Sequence, residues 1–277
     1  MTEIPNINLN NGVHIPQLGF GTFQIKPADT VEAVQRAFDA GYRHIDTAQM
    51  YGNEKEVGQA IAQSALDPTD VFVTTKLNNN KHSRDDALAS FDTSLKDLGL
   101  ERVDLFLIHW PLPAVGNFVD TWRAMEEIYQ SGRARSIGVS NFQAHHIGRL
   151  LAETTIPPAV NQIELHPYLV QSELHAYNDE HGIATQAWSP IAKGLVLDDP
   201  TIVTVALAHN KSAAQVVLRW QIQLGNIVFP KSATPARIQE NTAIFDFELD
   251  DSEMSMISSL DRGQRTGPDP DTFNYVP

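Results

Sequence analysis

Asp46 and Tyr51 lie five positions apart in the stretch Tyr42-Arg43-His44-Ile45-Asp46-Thr47-Ala48-Gln49-Met50-Tyr51-Gly52-Asn53-Glu54. A carboxylate and a phenol on one loop could exchange protons with a ligand. Tyr42 to Asp46 reads as a short strand, because β-branched Ile45 suits a buried pleated surface. Gly52 is a turn residue, and Asn53 can cap a helix whose body begins near Glu54. Both groups therefore fall at or just past the carboxyl end of a strand, where α/β proteins bind ligands. Taken alone, Asp46 could equally cap a turn and Tyr51 pack on the surface.

Other predicted strand ends carry chemistry too. Lys76 ends the run Val71-Phe72-Val73-Thr74-Thr75, where a charge is costly unless paired, and Asp46 is the obvious partner. Lys76 beside Tyr51 should favour the phenolate and lower the Tyr51 pKa. That would make Tyr51 a proton donor and acceptor near neutral pH. His109-Trp110 closes another strand, and His109 could hydrogen-bond a substrate oxygen. Further ends carry Gly21-Thr22, Ser140-Asn141, Gln162-Glu164-His166, Trp188-Ser189 and Lys231-Ser232. Singly, His109 could be a core histidine, Lys76 a snorkelling rim lysine and Trp188 plain packing. Asp46, Tyr51, Lys76 and His109 at three successive strand ends are harder to explain as packing.

The elements that must position them alternate. Strand candidates are 18–21, 42–46, 71–76, 103–109, 136–140, 159–164, 184–188 and 226–230, with helical stretches between them. Asp29 is a candidate cap for a helix running to Ala40, which Gly41 ends. Ser83 and Ser212 mark later helix starts. The run Val103-Asp104-Leu105-Phe106-Leu107-Ile108 suits a parallel sheet covered on both faces. Eight strands, each followed by a helix, predict a closed (β/α)8 TIM barrel in a single domain, residues 1–277. A hairpin around Asn10-Asn11-Gly12 should plug one end, and extra C-terminal helices and loop should follow the last strand. An open doubly wound sheet is the alternative. It is weakened because Gln24 stands where the third glycine of a phosphate fingerprint would be.

Composition narrows the function classes. Of 277 residues, 42% are hydrophobic, enough for a sizeable core. No apolar run has the length of a membrane helix, and Met1-Thr2-Glu3-Ile4-Pro5-Asn6 shows no signal-peptide pattern. With no cysteine, disulfides and thiolate metal ligands are excluded, and a cytoplasmic protein is the simplest expectation; a monomer is expected as well. A net charge of −14 argues against a nucleic-acid partner. No His or carboxylate spacing is diagnostic of a metal site. An anionic ligand would need a local positive site against this field.

From Leu18-Gly19-Phe20-Gly21-Thr22 to Asn241 the chain resembles the aldo-keto reductases, in the bacterial branch similar to 2,5-diketo-D-gluconate reductases. The resemblance rests on Gly41-Tyr42-Arg43-His44-Ile45-Asp46-Thr47-Ala48 with Tyr51-Gly52-Asn53-Glu54, Thr74-Thr75-Lys76-Leu77, and Leu107-Ile108-His109-Trp110-Pro111. It continues through Ile137-Gly138-Val139-Ser140-Asn141-Phe142, Asn161-Gln162-Ile163-Glu164-Leu165-His166-Pro167 and Ile227-Val228-Phe229-Pro230-Lys231-Ser232.

The resemblance implies Asp46, Tyr51, Lys76 and His109 as a catalytic tetrad, with Tyr51 as general acid in carbonyl reduction. It implies a nicotinamide cofactor extended across the barrel mouth. Ser140, Asn141 and Gln162 match the residues that hold its carboxamide, and Trp188 the ring that stacks on the nicotinamide. Gly21 and Thr22 border the same site, while Ser189 and Gly194 lie in the segment matching the diphosphate site. Lys231, Ser232 and Arg237 match the 2′-phosphate site, which favours NADPH over NADH, and Glu240 and Asn241 match the adenine end. Phe23, Gln49, Asn78 and Trp110 are the candidate substrate residues. Asn78 departs from the pattern: many relatives carry an aromatic there. The implied substrates are aldehydes and ketones, with keto acids, diketones and cyclic imines in view. The alternative is a cofactor-binding regulatory protein with little turnover, against which the intact tetrad counts.

Overall fold

The computed structural model describes residues 4–115 and 117–277; residues 1–3, which bear part of the amino-terminal reading, and Gly116 lie outside it. The chain begins with the predicted hairpin, β1 (Asn6–Asn8) antiparallel to β2 (His14–Pro16). It binds the rim at the start of the later strands: Asn11 Nδ2 donates to the Arg135 carbonyl and Asn10 Nδ2 to that of Pro158. Its Leu9 and Ile15 are buried with Phe72, Leu105, Leu107 and Val160 in the lower interior. The hairpin thus closes the floor with apolar side chains.

Then the strand–helix rhythm begins: β3 (Phe20–Gly21), α1 (Pro27–Asp39), β4 (His44–Asp46), α2 (Glu54–Gln63), β5 (Phe72–Leu77) and α3 (Arg84–Leu98). It continues with β6 (Val103–Ile108), α4 (Phe118–Gln130), β7 (Ala134–Ser140), α5 (Ala144–Glu153), β8 (Val160–Glu164) and α6 (Ser172–Glu180). The last units are β9 (Ala184–Trp188), α7 (Pro200–His209), α8 (Ala213–Gln223), β10 (Ile227–Val228), α9 (Pro235–Glu240) and α10 (Asp251–Ser258). Among the described residues, eight parallel strands run in chain order from β3 to β10. Leu18 and Val228 bridge the two edges, with Gly19 N–H donating to the Val228 carbonyl at 2.7 Å. The sheet closes on itself as a (β/α)8 barrel. The outermost strands of the prediction shorten, 18–21 to two residues and 226–230 to two, because only bridges and single hydrogen bonds join them at this seam.

Helix boundaries follow local chemistry. Ser83 caps α3 by accepting the Asp86 N–H, and left-handed Gly99 ends it. Ser212 with Gln215, and Asp250 with Glu253, form capping boxes on α8 and α10. Two expected caps are different. Asp29 lies inside the first turn of α1, whose N-cap is Lys26 before Pro27. Asn53 occupies the N-cap of α2, but its amide serves the site loops, donating to the Thr22 and Ile25 carbonyls and accepting from Thr47 Oγ1. No helix among the described residues is long and apolar enough to cross a membrane.

Candidate active site

The carboxyl ends of the strands open on a cavity of about 520 Å³. Asp46 ends β4 and Lys76 stands next to last on β5, both fully buried. Lys76 Nζ spends its three protons on Asp46 Oδ1 at 2.6 Å, the Thr47 carbonyl at 2.9 Å and Tyr51 Oη at 3.3 Å. The second oxygen of Asp46 accepts from Gln162 Nε2 at 2.8 Å. Every polar atom of the pair is thereby engaged, which is what keeps a buried ion pair tolerable. Burial alone would pull the Lys76 ammonium down; Asp46 and Tyr51 offset this and hold it above its usual range. Burial likewise pushes the Asp46 carboxyl up, against the pull of Lys76 and Gln162.

Tyr51 sits on a 3-10 turn, Gln49–Tyr51, that left-handed Gly52 terminates. Its ring meets His109 at 5.8 Å and Phe23 at 5.1 Å between centroids. The predicted lowering of its pKa is not what the structure gives. Burial raises the Tyr51 phenol above its ordinary value; Lys76 opposes this and Asp46 adds to it. Lys76 acts in the predicted direction, but desolvation of a phenolate outweighs it. Tyr51 therefore keeps its proton, as an acid must. Burial first, then Lys76, holds His109 well below the usual imidazole range, so its ring is neutral. His109 Nδ1 is buried without a partner.

The turn carrying Tyr51 is fastened from behind. Gln49 Nε2 donates to the Ser90 carbonyl and to Ser94 Oγ on α3, and its Oε1 accepts the Asn78 N–H. Glu54, which burial raises above the usual carboxyl range, bonds Thr75 Oγ1 at 2.6 Å and Ser94 Oγ at 3.2 Å. Asn78 turns its side-chain oxygen to the N–H of Asn79. Gln49 and Asn78 thus fasten loops and do not line the cavity, whereas Phe23 and Trp110 do.

Beside the tetrad lies a polar ledge. Asn141, in the left-handed conformation, donates to the His109 carbonyl and accepts from Trp188 Nε1 at 2.8 Å. Ser140 Oγ donates to the Gln162 carbonyl. Gln162 Nε2 is fully used by Asp46 and Gln186, while its Oε1 accepts nothing among the described residues. That free acceptor on the cavity wall, beside the exposed face of Trp188, fits a carboxamide on a flat ring. Ser189, Gly21 and Lys231 line the far end. A Cβ at Gly21 would stand 2.7 Å from the Phe229 carbonyl, so only glycine lets β3 approach that loop.

Several predicted cofactor residues lie outside the cavity wall. Thr22 is buried and its hydroxyl donates to the Asp46 carbonyl, so it fixes the backbone beneath the site. Gly194 follows the wall residue Lys193. Beyond Lys231, Ser232 accepts the Thr234 N–H, and Arg237 and Glu240 lie on α9 with Asn241 next to it. Lys231 and Arg237 are exposed, and neither meets a carboxylate within 4.0 Å among the described residues. Two unpaired cations in a chain of net charge −14 fit an anionic group at this end.

The sequence reads residues 266–271 as a loop over the surface and leaves open whether Phe273 and Tyr275 fold over the site; the structure lays this carboxyl-terminal strap against it. Gly267 and Pro268 line the cavity, and a Cβ on Gly267 would collide with the Trp188 ring. Buried Glu164 holds the strap: Oε1 accepts from Thr266 N at 2.6 Å and His166 Nε2 at 3.1 Å, while Oε2 accepts from Gly267 N at 3.2 Å. Further out, Phe273 packs on Trp110 at 4.2 Å and Asn79 Nδ2 donates to the Tyr275 carbonyl. Asp271 approaches His145 and His146 at 3.5 and 3.8 Å. This trio is poorly suited to a metal: His146 Nδ1 accepts the Gln143 N–H, which puts the neutral ring's proton on Nε2, the atom facing Asp271. The signal was present in Glu164-Leu165-His166 and in the late Gly267-Pro268, but nothing in the sequence links the two.

Comparison with known proteins agrees with this geometry. The aldo/keto reductase family matches residues 17–262. An aldo-keto reductase of Mycobacterium sp. (strain KMS) is 52% identical over 272 residues, covering 98% of this chain and 99% of its own. The methylglyoxal reductase DkgA of Escherichia coli (strain K12) is 46% identical over 270 residues, covering 96% and 97%. The crystal structure of a Bombyx mori aldo-keto reductase in complex with NADP superposes with a TM-score of 0.93 at 38% identity, over 100% of this chain and 99% of that one. A buried Asp–Lys pair beneath a tyrosine and a histidine, on an eight-stranded barrel that this family matches almost end to end, leaves no doubt of kinship: the chain belongs to the aldo/keto reductase family.

Proposed function

We propose that the protein is an NADPH-dependent oxidoreductase that reduces aldehydes and ketones to alcohols, with Tyr51 as general acid. The observation that carries the reading is the Lys76 ammonium, bonded at once to Asp46 and Tyr51 on the floor of the cavity. Bound NADPH would supply the hydride to the carbonyl carbon. Tyr51 Oη gives its proton to the carbonyl oxygen, which leaves an alcohol and a phenolate. Lys76, at 3.3 Å, compensates the phenolate charge until solvent restores the proton. Asp46 balances Lys76 so that the ammonium is kept in a dry site. Neutral His109 offers a ring N–H to the same oxygen. Ser140, Asn141, Gln162 and Trp188 are the groups that suit the nicotinamide end. Lys231, Ser232 and Arg237 suit the 2′-phosphate, and Glu240 and Asn241 the adenine.

The substrate class is small carbonyl compounds. Phe23 and Trp110 give the cavity an aromatic wall, and the strap residue Phe273 packs on Trp110. The same reading takes the protein as a cytoplasmic monomer. The test is NADPH consumption with a panel of aldehydes, ketones, keto acids, diketones and cyclic imines, including methylglyoxal. Turnover of an unactivated aldehyde by the wild type but not by Tyr51→Phe supports the reading. NADPH binding without turnover of any panel member would point to a regulatory protein instead.

A further inference from the structure

Gln186, the third residue of β9, carries a fully buried amide that the reaction above does not use. It stands opposite Gln162 in the register of the parallel strands β8 and β9, so both side chains leave the sheet on one face. Its Oε1 accepts from Gln162 Nε2 at 2.9 Å, while its own Nε2 has no partner among the described residues. A buried donor without a partner is a cost that an apolar residue of similar size would avoid. What such a residue would lack is the acceptor oxygen. The direction of both amides is set by Asp46. An ionised carboxylate accepts hydrogen bonds and donates none, so Gln162 must turn Nε2 to it, as it does at 2.8 Å. Gln186 must then present its oxygen to the second N–H of the same nitrogen. A planar amide held by one N–H can still turn about that bond. Held by both, its plane is fixed, and with it the direction of the free oxygen on the cavity wall. From Gln186 the bonds run without a gap through Gln162, Asp46 and Lys76 to Tyr51.

We infer that Gln186 is a positioning residue for the nicotinamide: it fixes the plane of the Gln162 amide, so that one side chain steadies Asp46 with its nitrogen and aims its oxygen at the carboxamide. That role rests on the nicotinamide reading of the site proposed above, and adds to it a residue that touches neither substrate nor cofactor. The aimed oxygen matters to a ligand that carries a carboxamide N–H and is indifferent to one that lacks it.

The experiment measures dissociation constants of NADPH and of 2′-phospho-ADP-ribose, which is the same dinucleotide without its nicotinamide. The proteins are the wild type, Gln186→Met, Gln186→Glu and Gln162→Met. Met fills a similar volume without an acceptor, whereas Glu keeps an acceptor oxygen in either protonation state. Gln186→Met should weaken NADPH roughly three- to tenfold relative to 2′-phospho-ADP-ribose, the worth of one hydrogen bond, and Gln186→Glu should return most of that ratio. A purely structural loss weakens both ligands alike and leaves the ratio at its wild-type value, which overturns the inference. A Gln186→Glu ratio as poor as that of Gln186→Met overturns it too, since the acceptor would then not be the cause. The wild type gives a check that needs no variant to fold. In side-chain amide NMR of the free protein both Gln162 Nε2 protons should exchange slowly with solvent; one fast proton overturns the inference, because Gln186 would not be holding it. An unchanged ratio in Gln162→Met, or a wild type that binds neither ligand, would instead refute the reading of the site on which this rests.

Discussion

Tyr51 keeps its proton because burial opposes the phenolate more than Lys76 favours it. With Tyr51 as the proposed general acid, reduction would consume that proton, so its rate should stay level through neutral pH and fall only above the ordinary phenol range. Oxidation of an alcohol needs the phenolate and should rise over the same range. A pH–rate profile in both directions checks the sign. Tyr51→Phe should cost about 10²–10⁴ in reduction rate while leaving cofactor affinity near normal, because only the hydroxyl is removed. Fluorescence titration with NADPH separates the two effects. Arg237→Ala should weaken NADPH by roughly 1.5–3 kcal/mol and leave NADH nearly unchanged, as expected for a charge-assisted contact with the 2′-phosphate. At this scale the sequence was highly legible for groups that end strands. Asp46, Lys76, His109, Asn141 and Trp188 are placed by register, and register follows from the apolar pattern. It was least legible where a side chain on a loop chooses its direction. Gln49 and Asn78 were read as facing the mouth, yet each is turned aside by a backbone hydrogen bond.

Among elements, the strap is the piece that sequence could not place. Its residues have no period, and its partners Glu164, Trp188, Trp110 and Asn79 come from four different parts of the chain. The same distance hid the true task of Asn53, since local cap signals say nothing of carbonyls brought close by another loop. Gly267 gives the strap its closest approach. Gly267→Ala should push the strap off the Trp188 ring at a cost of about 1–3 kcal/mol of local overpacking. The expected outcome is a raised KM for the carbonyl substrate with little change in the chemical step. Steady-state kinetics beside a thermal melt would show it; an unchanged KM would mean that the strap takes no part in enclosing the substrate.

The whole molecule carries several histidines that folding holds neutral. Burial takes His44 down to about 3, and His82 and His146 to about 4. Unfolded, each would titrate near 6.5. Between those values the unfolded chain binds more protons than the native one, so stability rises with pH. The stability these rings contribute is intact above about pH 6.5 and is lost as pH falls toward about 4, at up to about 1.4 kcal/mol per histidine per pH unit. Urea midpoints taken from pH 7 down to pH 4.5 should fall steadily, and His82→Phe should flatten the slope.

The barrel is closed only where Leu18 meets Val228, and that seam has a consequence for how the protein comes into being. Asp46, Tyr51, Lys76 and His109 all belong to the first half of the chain, whereas Trp188, Lys193, Lys231 and Arg237 belong to the second. During synthesis the first half leaves the ribosome with its reactive groups in hand and no mouth to hold a dinucleotide. The far end of the cavity exists only when the loop after β10 lies against Gly21 across the seam. A nascent chain can therefore complete this end of the cavity only after the loop that follows β10 has emerged. From then on, a dinucleotide bound as proposed would touch both sides of the joint and act as a clasp on it.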